Sequence, residues 1–460
     1  MFDNEEKQLM ELSEKLNNTS KPDCIDDYIK RGINLGQVKK KKTKIRIYSN
    51  VAVLIIFVLF SVTIRVSPVF ASYISKVPGL AYLVNLINYD KGIKDAVENN
   101  FIQNVNMSQE HEGLVFTIKD IIIDNSKAIL FYSIQNKTNH KFVNIAEIKL
   151  KDENGKNVIA SSGMNLFVNQ NMMDQKELLG KVEFNFSNEE TIIPDRLFID
   201  VKLQDEVTNE SISHDKRNLL ISTWKFNIPI DKEKLETMKV VYNLNQNIEI
   251  DGQKIFFKTV TITPTQISAE IEYDKSNSKK ILGYDDIEIV NEKGEKWATI
   301  MNGVSGTRKD DDHQTLFFQS NYFTNPKELY IKGSSIKSLD KDKLKVIVDV
   351  DKKVLLKSPD DKLTLKSATV IKGKTSLEFE LLKDKILDKD KGYFVFLSDV
   401  KDSDGNIIDK NASGGTHLNG TDRQYIEYII TTDSKLKNPI SLTIFDYPTR
   451  ITGNFKVKIK

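Results

Sequence analysis

One ordered set of three short motifs recurs three times between residue 116 and the C-terminus of this 460-residue chain. Each copy begins with two alternating apolar segments around a short turn. A polar turn that contains glycine follows, and then the pattern Pro-x-x-Leu-x-Ile. An aligned lysine near the start of each copy lies 36, 36 and 39 residues before that glycine. This ordered recurrence indicates a tandem repeat of one domain. The lysines are Lys119, Lys258 and Lys366, the glycines are Gly155, Gly294 and Gly405, and the third motif occupies Pro194–Ile199, Pro326–Ile331 and Pro439–Ile444.

The segments that open the three copies predict an all-β region. Alternating apolar and polar residues on both sides of a turn are the usual signal of a β-hairpin. Each repeat is roughly 110–130 residues long, which suits the seven or so strands of an immunoglobulin-like β-sandwich. The Cys…Trp…Cys pattern of true immunoglobulin domains is absent. We predict three tandem immunoglobulin-like sandwiches, over residues 105–231, 240–352 and 360–460. We expect each to close with its own final strand, at Leu219–Ile230, Lys343–Val350 and Asn454–Ile459.

An uncharged apolar segment, Ile47–Ile64, precedes the repeats. As a helix it would be about 27 Å long, at about 1.5 Å per residue, which nearly matches a hydrocarbon core of about 30 Å. A basic cluster stands directly before it, and short basic loops stay cytoplasmic. We therefore predict a single transmembrane helix over residues 47–65, with residues 1–46 in the cytoplasm and the bulk of the chain outside the cell. The basic cluster is Lys39, Lys40, Lys41, Lys42, Lys44 and Arg46.

Two other interpretations of this apolar segment stay open. It could be a buried core helix, although its basic flank argues against that. It could also be a signal peptide that is cleaved near Ala71, because Val69-Phe70-Ala71 has the small-residue character of a cleavage site. A charged leader of 46 residues is, however, far longer than the ordinary n-region of a signal peptide. The favoured interpretation is an uncleaved anchor in the lipid bilayer.

The predicted cytoplasmic head, residues 1–46, is too short to build a core of its own. Leu9, Leu12 and Leu16 repeat at helical spacing among Glu and Lys residues, which predicts an amphipathic helix. One interpretation is a docking helix that places these three leucines in the groove of a partner protein. The other is a solvated, partly ordered tail. The single cysteine, Cys24, also lies in the head, so the predicted outer region has no disulfide and its domains depend on their cores.

A helical pattern continues over residues 66–104, between the apolar segment and the first repeat. Pro78-Gly79 interrupts it, and apolar residues occupy most positions of Leu80–Ile87. We predict a short helical collar that packs on the first β domain. Contact with the membrane surface is an alternative, because Tyr73 and Tyr82 suit an interfacial segment.

The collar is also where the sequence resembles a known family. The pattern V-F-A-S-Y-I-S-K-V-P-G-L-A-Y-L-V-N-L-I-N-Y-D-K-G-I-K-D-A-V-E-N-N-F-I-Q-N-V-N-M-S and the upstream D-D-Y-I-K-R-G-I resemble the bacterial membrane-protein family called domain of unknown function 4179. The segment W-K-F-N-I-P-I-D at 224–231 is similar to the end of that family's first domain. The stretch after it resembles domain of unknown function 5643. The resemblance implies a partner or regulator of extracytoplasmic-function sigma factors, and it implies no catalytic residues. The head lacks the zinc-binding His/Cys pattern of the classical zinc anti-sigma domain.

No arrangement of catalytic or metal-binding residues stands out. Asp402-Ser403-Asp404-Gly405 looks like the start of a calcium loop, which would place glutamate at its twelfth position, but that position is Ser413. The five histidines have no ligand spacing. No G-x-S-x-G, phosphate loop or cysteine nucleophile is present. The net charge is +2, with acidic and basic residues interleaved, so no stripe for nucleic acid is evident. We predict no enzyme activity, no cofactor, no metal and no nucleic-acid partner.

The predicted topology and the resemblance together favour a single-pass cell-envelope sensor or regulator. Its β domains would bind an unidentified ligand or stimulus outside the cell, and its head would bind a cytoplasmic sigma factor. The alternative is a surface stalk or adhesion protein without a signalling role, in which the head is only a stop signal. An exported hydrolase is a third class, which the missing motifs disfavour.

Overall fold

The computed structural model divides into two units, Met1–Ser72 and Tyr73–Lys460, which are described separately. It describes residues 3–17, 80, 82–87, 89–138, 140, 143–158, 160–164, 177–186, 193–205, 218–232, 235, 238–299, 305–371, 373–389, 391–409, 412–420, 422–431 and 437–460.

The described part of the N-terminal unit is one helix, α1 (Asp3–Asn17). None of the helices within the described ranges is both long and apolar enough to cross a membrane. The longest of them, α1, has 15 residues, whereas a spanning helix needs about 20 predominantly apolar residues. The fold-class prediction was therefore wrong in including a single transmembrane helix. The segment predicted to form it, residues 47–65, lies outside the described residues.

The larger unit is mainly β, as predicted, and opens with two short helices. They are α2 (Leu83–Leu86) and α3 (Lys91–Glu98). The side chain of Asp90 caps α3 by accepting a 3.0 Å hydrogen bond from the Ile93 backbone N–H, which satisfies one of the free N–H groups of the first turn. The apolar face of α3, which includes Ile93 and Val97, is buried.

Three β-sandwiches follow, and each buries its own apolar core between two sheets. We call the sheet that contains the opening hairpin the front sheet and the other the back sheet. In the first sandwich the front order is β1-β2-β3-β6-β5, and in the back sheet β7 pairs with β4, β8 and β9. Its strands are β1 (Gln103–His111), β2 (Leu114–Ile123), β3 (Lys127–Asn136), β4 (Val143–Lys151), β5 (Ala160–Met164), β6 (Glu177–Phe186), β7 (Arg196–Asp205), β8 (Asn218–Leu219) and β9 (Trp224–Pro229).

The next two sandwiches repeat this arrangement. Front strands β10-β11-β12-β17-β16 belong to the second sandwich and β21-β22-β26-β25 to the third. The strands between residues 240 and 340 are β10 (Val240–Ile250), β11 (Gln253–Ile262), β12 (Gln266–Tyr273), β13 (Lys279–Tyr284), β14 (Glu288–Asn291), β15 (Lys296–Ala298), β16 (Gly306–Arg308), β17 (His313–Gln319) and β18 (Leu329–Asp340). The remaining strands are β19 (Lys345–Asp349), β20 (Val354–Lys357), β21 (Leu363–Ile371), β22 (Lys374–Leu382), β23 (Phe396–Lys401), β24 (Ile407–Asp409), β25 (Ser413–Asn419), β26 (Arg423–Thr431), β27 (Ile440–Ile444) and β28 (Arg450–Lys458).

The aligned lysine of each repeat lies at a β-bulge of the opening hairpin. The strand register shifts at Lys119, at Lys258 and at Lys366. Each lysine pairs with a glutamate of the same front sheet, with N–O distances of 3.2, 2.9 and 3.1 Å. A bulge adds a residue to one strand and bends it, so the repeated sequence mark corresponds to a repeated bend in the sheet.

The closing strands of the second and third sandwiches are exchanged, contrary to the prediction. In the first sandwich the last strand, β9, pairs with β7 as expected. The matching position beside β18 in the second sandwich is filled by β28 from the end of the chain. The matching position beside β27 in the third sandwich is filled by β19. The expectation that each repeat closes with its own final strand is therefore wrong for these two, because the apolar alternation of such a strand does not specify which sheet it joins.

The central strands β2 and β3 of the first sandwich's front sheet are buried on both faces. Ile122, Ile129 and Phe131 are at most 1% exposed, yet they lie outside the core between the two sheets. The segment that carries α2 and α3 packs on this outer face: the ring of Tyr82 lies 6.4 Å from that of Phe131, and its hydroxyl donates to the Asp120 carboxylate. The helical segment therefore forms a third layer over the first sandwich.

Candidate functional site

Two of the three leucines predicted to bind a partner are exposed on α1. The side chains of Leu9 and Leu12 are 68% and 60% exposed, and Met10 beside them is 75% exposed. Leu16 belongs to the same helix, but its side chain lies outside the described residues. Spacings of three and four residues place these positions on one face of a helix. Binding of a partner through this face stays a prediction.

The turn that resembled a calcium loop has the same geometry as its two counterparts. Asp402 Oδ1 accepts hydrogen bonds from the backbone N–H groups two and four residues later, at 3.0 and 2.8 Å. Asp152 does the same in the first sandwich and Asn291 in the second. The side-chain oxygen stabilises a hairpin turn in all three copies. Over the described ranges, no group of three or more His, Cys, Asp and Glu residues is arranged to hold a metal ion.

A set of buried polar groups lies where the first sandwich and α3 meet the second sandwich. We call this region the proximal joint; it consists of α3, the turns Asp124–Lys127 and Thr263–Gln266, the hairpin residues Glu295 and Trp297, and Gln319–Ser320. The amide group of Gln319 clamps the start of α3, because it accepts from the Lys91 backbone N–H at 3.3 Å and donates to the Tyr89 carbonyl at 3.0 Å. The helix end is thereby tied to the second sandwich.

Close packing adds to this clamp. A Cβ atom on Gly92 would lie 2.4 Å from the backbone nitrogen of Ser320, so α3 approaches the second sandwich at a distance that only glycine allows. The ammonium group of Lys91 lies 4.2 Å from the centre of the Trp297 ring and pairs with Glu295. Cation–π contacts of this kind contribute roughly 0.5–2 kcal/mol, more as they become desolvated.

The opening hairpin turns of the two sandwiches also meet at the proximal joint. Asp124 is 1% exposed. Its Oδ1 accepts from the Ser126 and Lys127 backbone N–H groups at 2.8 and 3.0 Å, and its Oδ2 accepts from the Thr265 N–H of the second sandwich at 2.8 Å. One carboxylate therefore shapes its own turn and holds the neighbouring sandwich. Hydrogen bonds to a charged group contribute about 1.5–3 kcal/mol each.

A compensated charge cluster lies beneath α3. The side chain of Lys127 is fully buried, and its Nζ lies 3.2 Å from Glu183 Oε2, while Lys181 Nζ lies 2.5 Å from Oε1 of the same carboxylate. Burial by itself raises the pKa of Glu183, but the charges of Lys127 and Lys181 hold it below its ordinary value. Burial raises the pKa of Asp90, and the nearby Lys127 opposes that shift. Two cations offset two anions, which suits a fixed structural cluster.

The proximal joint also contains Asp95, whose pKa is raised. Burial raises the pKa of Asp95 to about 6, and the charge of Lys91 offsets part of this effect. Glu98, Glu295 and Asp90 raise the pKa of Asp95 further. Its Oδ2 is buried without a hydrogen-bond partner. At neutral pH Asp95 is therefore still mostly ionised, but its ionised form is less favourable in the folded protein than in the unfolded chain.

The clefts beside the proximal joint are small. One, of about 100 Å³, lies between Asn125 and Ser126 of the first sandwich and the polar outer face of the second sandwich's front sheet, which includes Gln266 and Glu270. Another, of about 280 Å³, is lined by Phe101 and the start of β1. Pockets for drug-sized ligands usually measure about 300–1,000 Å³. The first cleft is well below this range, and the second lies just under its lower end.

Sequence reasoning did not find the residues of the proximal joint. Asp124 and Thr265 lie in the turns of the predicted opening hairpins, but the sequence contained no signal that the two turns touch. The sequence did contain a signal for the pairing of Lys127, because this lysine begins the apolar run K-A-I-L-F-Y. Burying a charged lysine in such a run costs free energy unless an opposite charge pairs with it.

The comparisons with known proteins identify two segments. Residues 40–136 match the model described as "Domain of unknown function (DUF4179)", and residues 239–355 match that described as "Family of unknown function (DUF5643)". A solved structure titled "The crystal structure of the conserved domain protein from Bacillus anthracis" is 16% identical, covers 52% of this chain and 79% of its own chain, and has a TM-score of 0.38. No curated protein matches the chain. The chain therefore carries a DUF4179 segment followed by a DUF5643 segment, in the order that its sequence predicts.

Proposed function

We propose that this protein is a non-catalytic regulator that binds a partner protein through the leucine face of α1. Its β region would respond to a stimulus, and the proximal joint would be the place where that response reaches the helical segment. The observation that carries the proposal is the clamped position of α3, which packs on the first sandwich and is held by the second. In sequence, the segment that carries α2 and α3 lies between the N-terminal unit and β1. A change in the contact between the two sandwiches would therefore alter that segment.

The partner that the family resemblance implies is a sigma factor. An exposed apolar strip on an otherwise polar helix suits helix-in-groove recognition. The residues around it, Glu6, Lys7, Glu11 and Glu14, are exposed, so apolar contact would be limited to the strip.

Capture experiments with the full-length, tagged chain test this proposal. The variant Leu9→Ala/Leu12→Ala/Leu16→Ala should lose the sigma factor that the unchanged chain recovers from cells of its source. The matched control, Glu6→Ala/Glu11→Ala/Glu14→Ala, alters the polar side of the same helix and should recover it as before. If the unchanged chain recovers no sigma factor, or if both variants behave alike, the proposed partner or the proposed surface is wrong.

A structural stalk is the second candidate, and the ties between its last two sandwiches favour it. Arg450 Nε lies 2.6 Å from Asp285 Oδ2 of the second sandwich, and Arg450 also pairs with Asp388 of the third. Such a buried cluster would resist separation of the two sandwiches under load. In a stalk, the triple leucine variant would leave transcription unchanged, whereas in a regulator it would shift the expression of the genes that the partner controls.

A further inference from the structure

A two-stranded ribbon, interrupted by the short helical turn Lys341–Lys343, crosses from the second sandwich to the third. On one side it runs through β18 and β19, and on the other through β27 and β28. The antiparallel register hardly changes along it: Tyr330 pairs with Lys458 at one end, and Val348 pairs with Ile440 at the other. The links between the paired strands are also bonded, with Ser338 N–H donating to the Thr449 carbonyl at 3.0 Å.

The end of the chain completes the core of the second sandwich. Ile451, Phe455, Val457 and Ile459 are at most 7% exposed and belong to the same core as Trp297. The ring of Phe455 lies 6.1 Å from that of Phe257 on the front sheet. The same ring crosses Gly333 of β18 so closely that a Cβ there would lie 2.6 Å from it. The back sheet of the second sandwich is thus shaped to receive this strand.

The third sandwich depends equally on a segment that precedes it. The side chains of Val346 and Val348 in β19 are fully buried in the core that contains Phe379 and Tyr447. The short stretch after β18 therefore supplies the third sandwich with the strand position that β9 occupies in the first. Neither of the two sandwiches is complete within one uninterrupted stretch of chain.

A buried ionic cluster holds the crossing point. Arg450 is the first residue of β28, and its guanidinium donates to Asp285 at 2.6 Å and to the Tyr393 hydroxyl at 2.9 Å. It also donates to Asp388, whose side chain is fully buried. Asp285 belongs to the second sandwich, and Asp388 and Tyr393 belong to the third. Arg450, which contacts both sandwiches, is therefore directly followed in sequence by the rest of β28.

We infer that β28 is a strap that closes the second sandwich from the far side of the third, so that the two sandwiches move as one body. Loss of the strap opens the second sandwich. Separating the two sandwiches would require breaking the Arg450 cluster and the hydrogen bonds at the crossing, such as that from the Ser338 N–H to the Thr449 carbonyl. The proximal joint, by contrast, is crossed once by the main chain, between β9 and β10, and is otherwise held by side chains and α3. Relative motion within the β region is therefore concentrated at the proximal joint.

Hydrogen exchange on the full chain and its variants tests this inference. Phe455→Ala removes a large buried side chain, a change that typically costs enough to lower the protection of dependent amides about a hundredfold or more. We expect this loss in β10, β11 and β18 of the second sandwich, while β22 and β26 of the third keep their protection to within about a factor of ten. The control Lys458→Ala, on the exposed face of the same strand, should change protection less than threefold.

A truncated chain that ends at Thr449 provides a second measurement. It should lose protection throughout the second sandwich, and a synthetic peptide of residues 449–460 should restore it in a saturable manner. If Phe455→Ala or the truncation lowers the protection of the third sandwich and leaves that of the second unchanged, β28 closes the third sandwich and the inference fails. Failure of the peptide to restore protection in a truncated chain whose third sandwich remains protected would also overturn it.

Discussion

Gly92→Ala tests whether α3 is seated against the second sandwich. Intrinsic propensity favours the substitution, because alanine stabilises a helix interior by about 0.8–1 kcal/mol relative to glycine. The tertiary contact opposes it, since the new Cβ would lie 2.4 Å from Ser320 N and 2.8 Å from both Ser320 Cα and Cβ. Overpacking of a filled site costs about 1–3 kcal/mol. The contact is mainly with backbone, which cannot rotate away, so we expect a net loss of about 1–2 kcal/mol.

Native-state hydrogen exchange measures this loss where it should occur. A change of 1–2 kcal/mol corresponds to a roughly 5–30-fold lower protection. We expect that decrease for the amides of α3 and for the Thr265 amide, which donates to Asp124 across the proximal joint. Gly392→Ala is the matched control, because a Cβ at that position meets nothing within 4 Å, and it should leave α3 unchanged. Equal or higher protection of α3 in Gly92→Ala would refute the reasoning.

Two further predictions concern charge. The pKa of Asp95 is raised to about 6, above the ordinary value of about 3.9 for an unfolded aspartate, so the folded state takes up the proton first. Stability should therefore rise as the pH falls through 6, and should level off below about 4. Asp95→Asn should remove this dependence and increase the protection of α3 at pH 7; an unchanged pH profile would contradict the assignment. Arg450→Met leaves the buried Asp388 carboxylate without its cation and leaves Asp285 with Lys391 alone, which should cost about 3–5 kcal/mol in urea unfolding of the last two sandwiches. Despite burial, hydrogen bonds from Arg450, Ser335 and Lys391 lower the pKa of Asp285 to about 2, so in the unchanged chain its contribution is present above about pH 4 and is lost as the pH falls through 2. A loss below 1 kcal/mol would show that the cluster is dispensable.

Features that depend on neighbours in sequence were predictable. The bulges at Lys119, Lys258 and Lys366 lie in hairpins formed by neighbouring strands, and they recur at the aligned lysine of each copy. The Asp152, Asn291 and Asp402 turns are equally local, since the side-chain oxygen bonds to backbone N–H groups within four residues. The nearly constant distance between the aligned lysine and the turn in each copy indicated the number of repeats, and the alternating apolar residues indicated their β character.

Features that depend on contacts between residues far apart in sequence could not be predicted. Nothing near Asp124 in sequence indicates that it holds Thr265, which lies 141 residues away. The prediction of a transmembrane helix came from the hydropathy of one segment, and the described helices do not include one of spanning length. The clamp of Gln319 on α3 joins positions 230 residues apart, and amide side chains form such bonds in any sequence context.

The amino-acid sequence alone determined the three-fold repetition, the hairpins and turns within each copy, and the leucine spacing of the N-terminal helix. Tertiary structure decided which strand closes each of the last two sandwiches and where the first two sandwiches meet. The physical reason is that alternation of apolar residues sets the face of a strand but not its partner. The partner is chosen by pairing along a whole ribbon, and by the fit of side chains such as Phe455 over Gly333, once the sheets have formed.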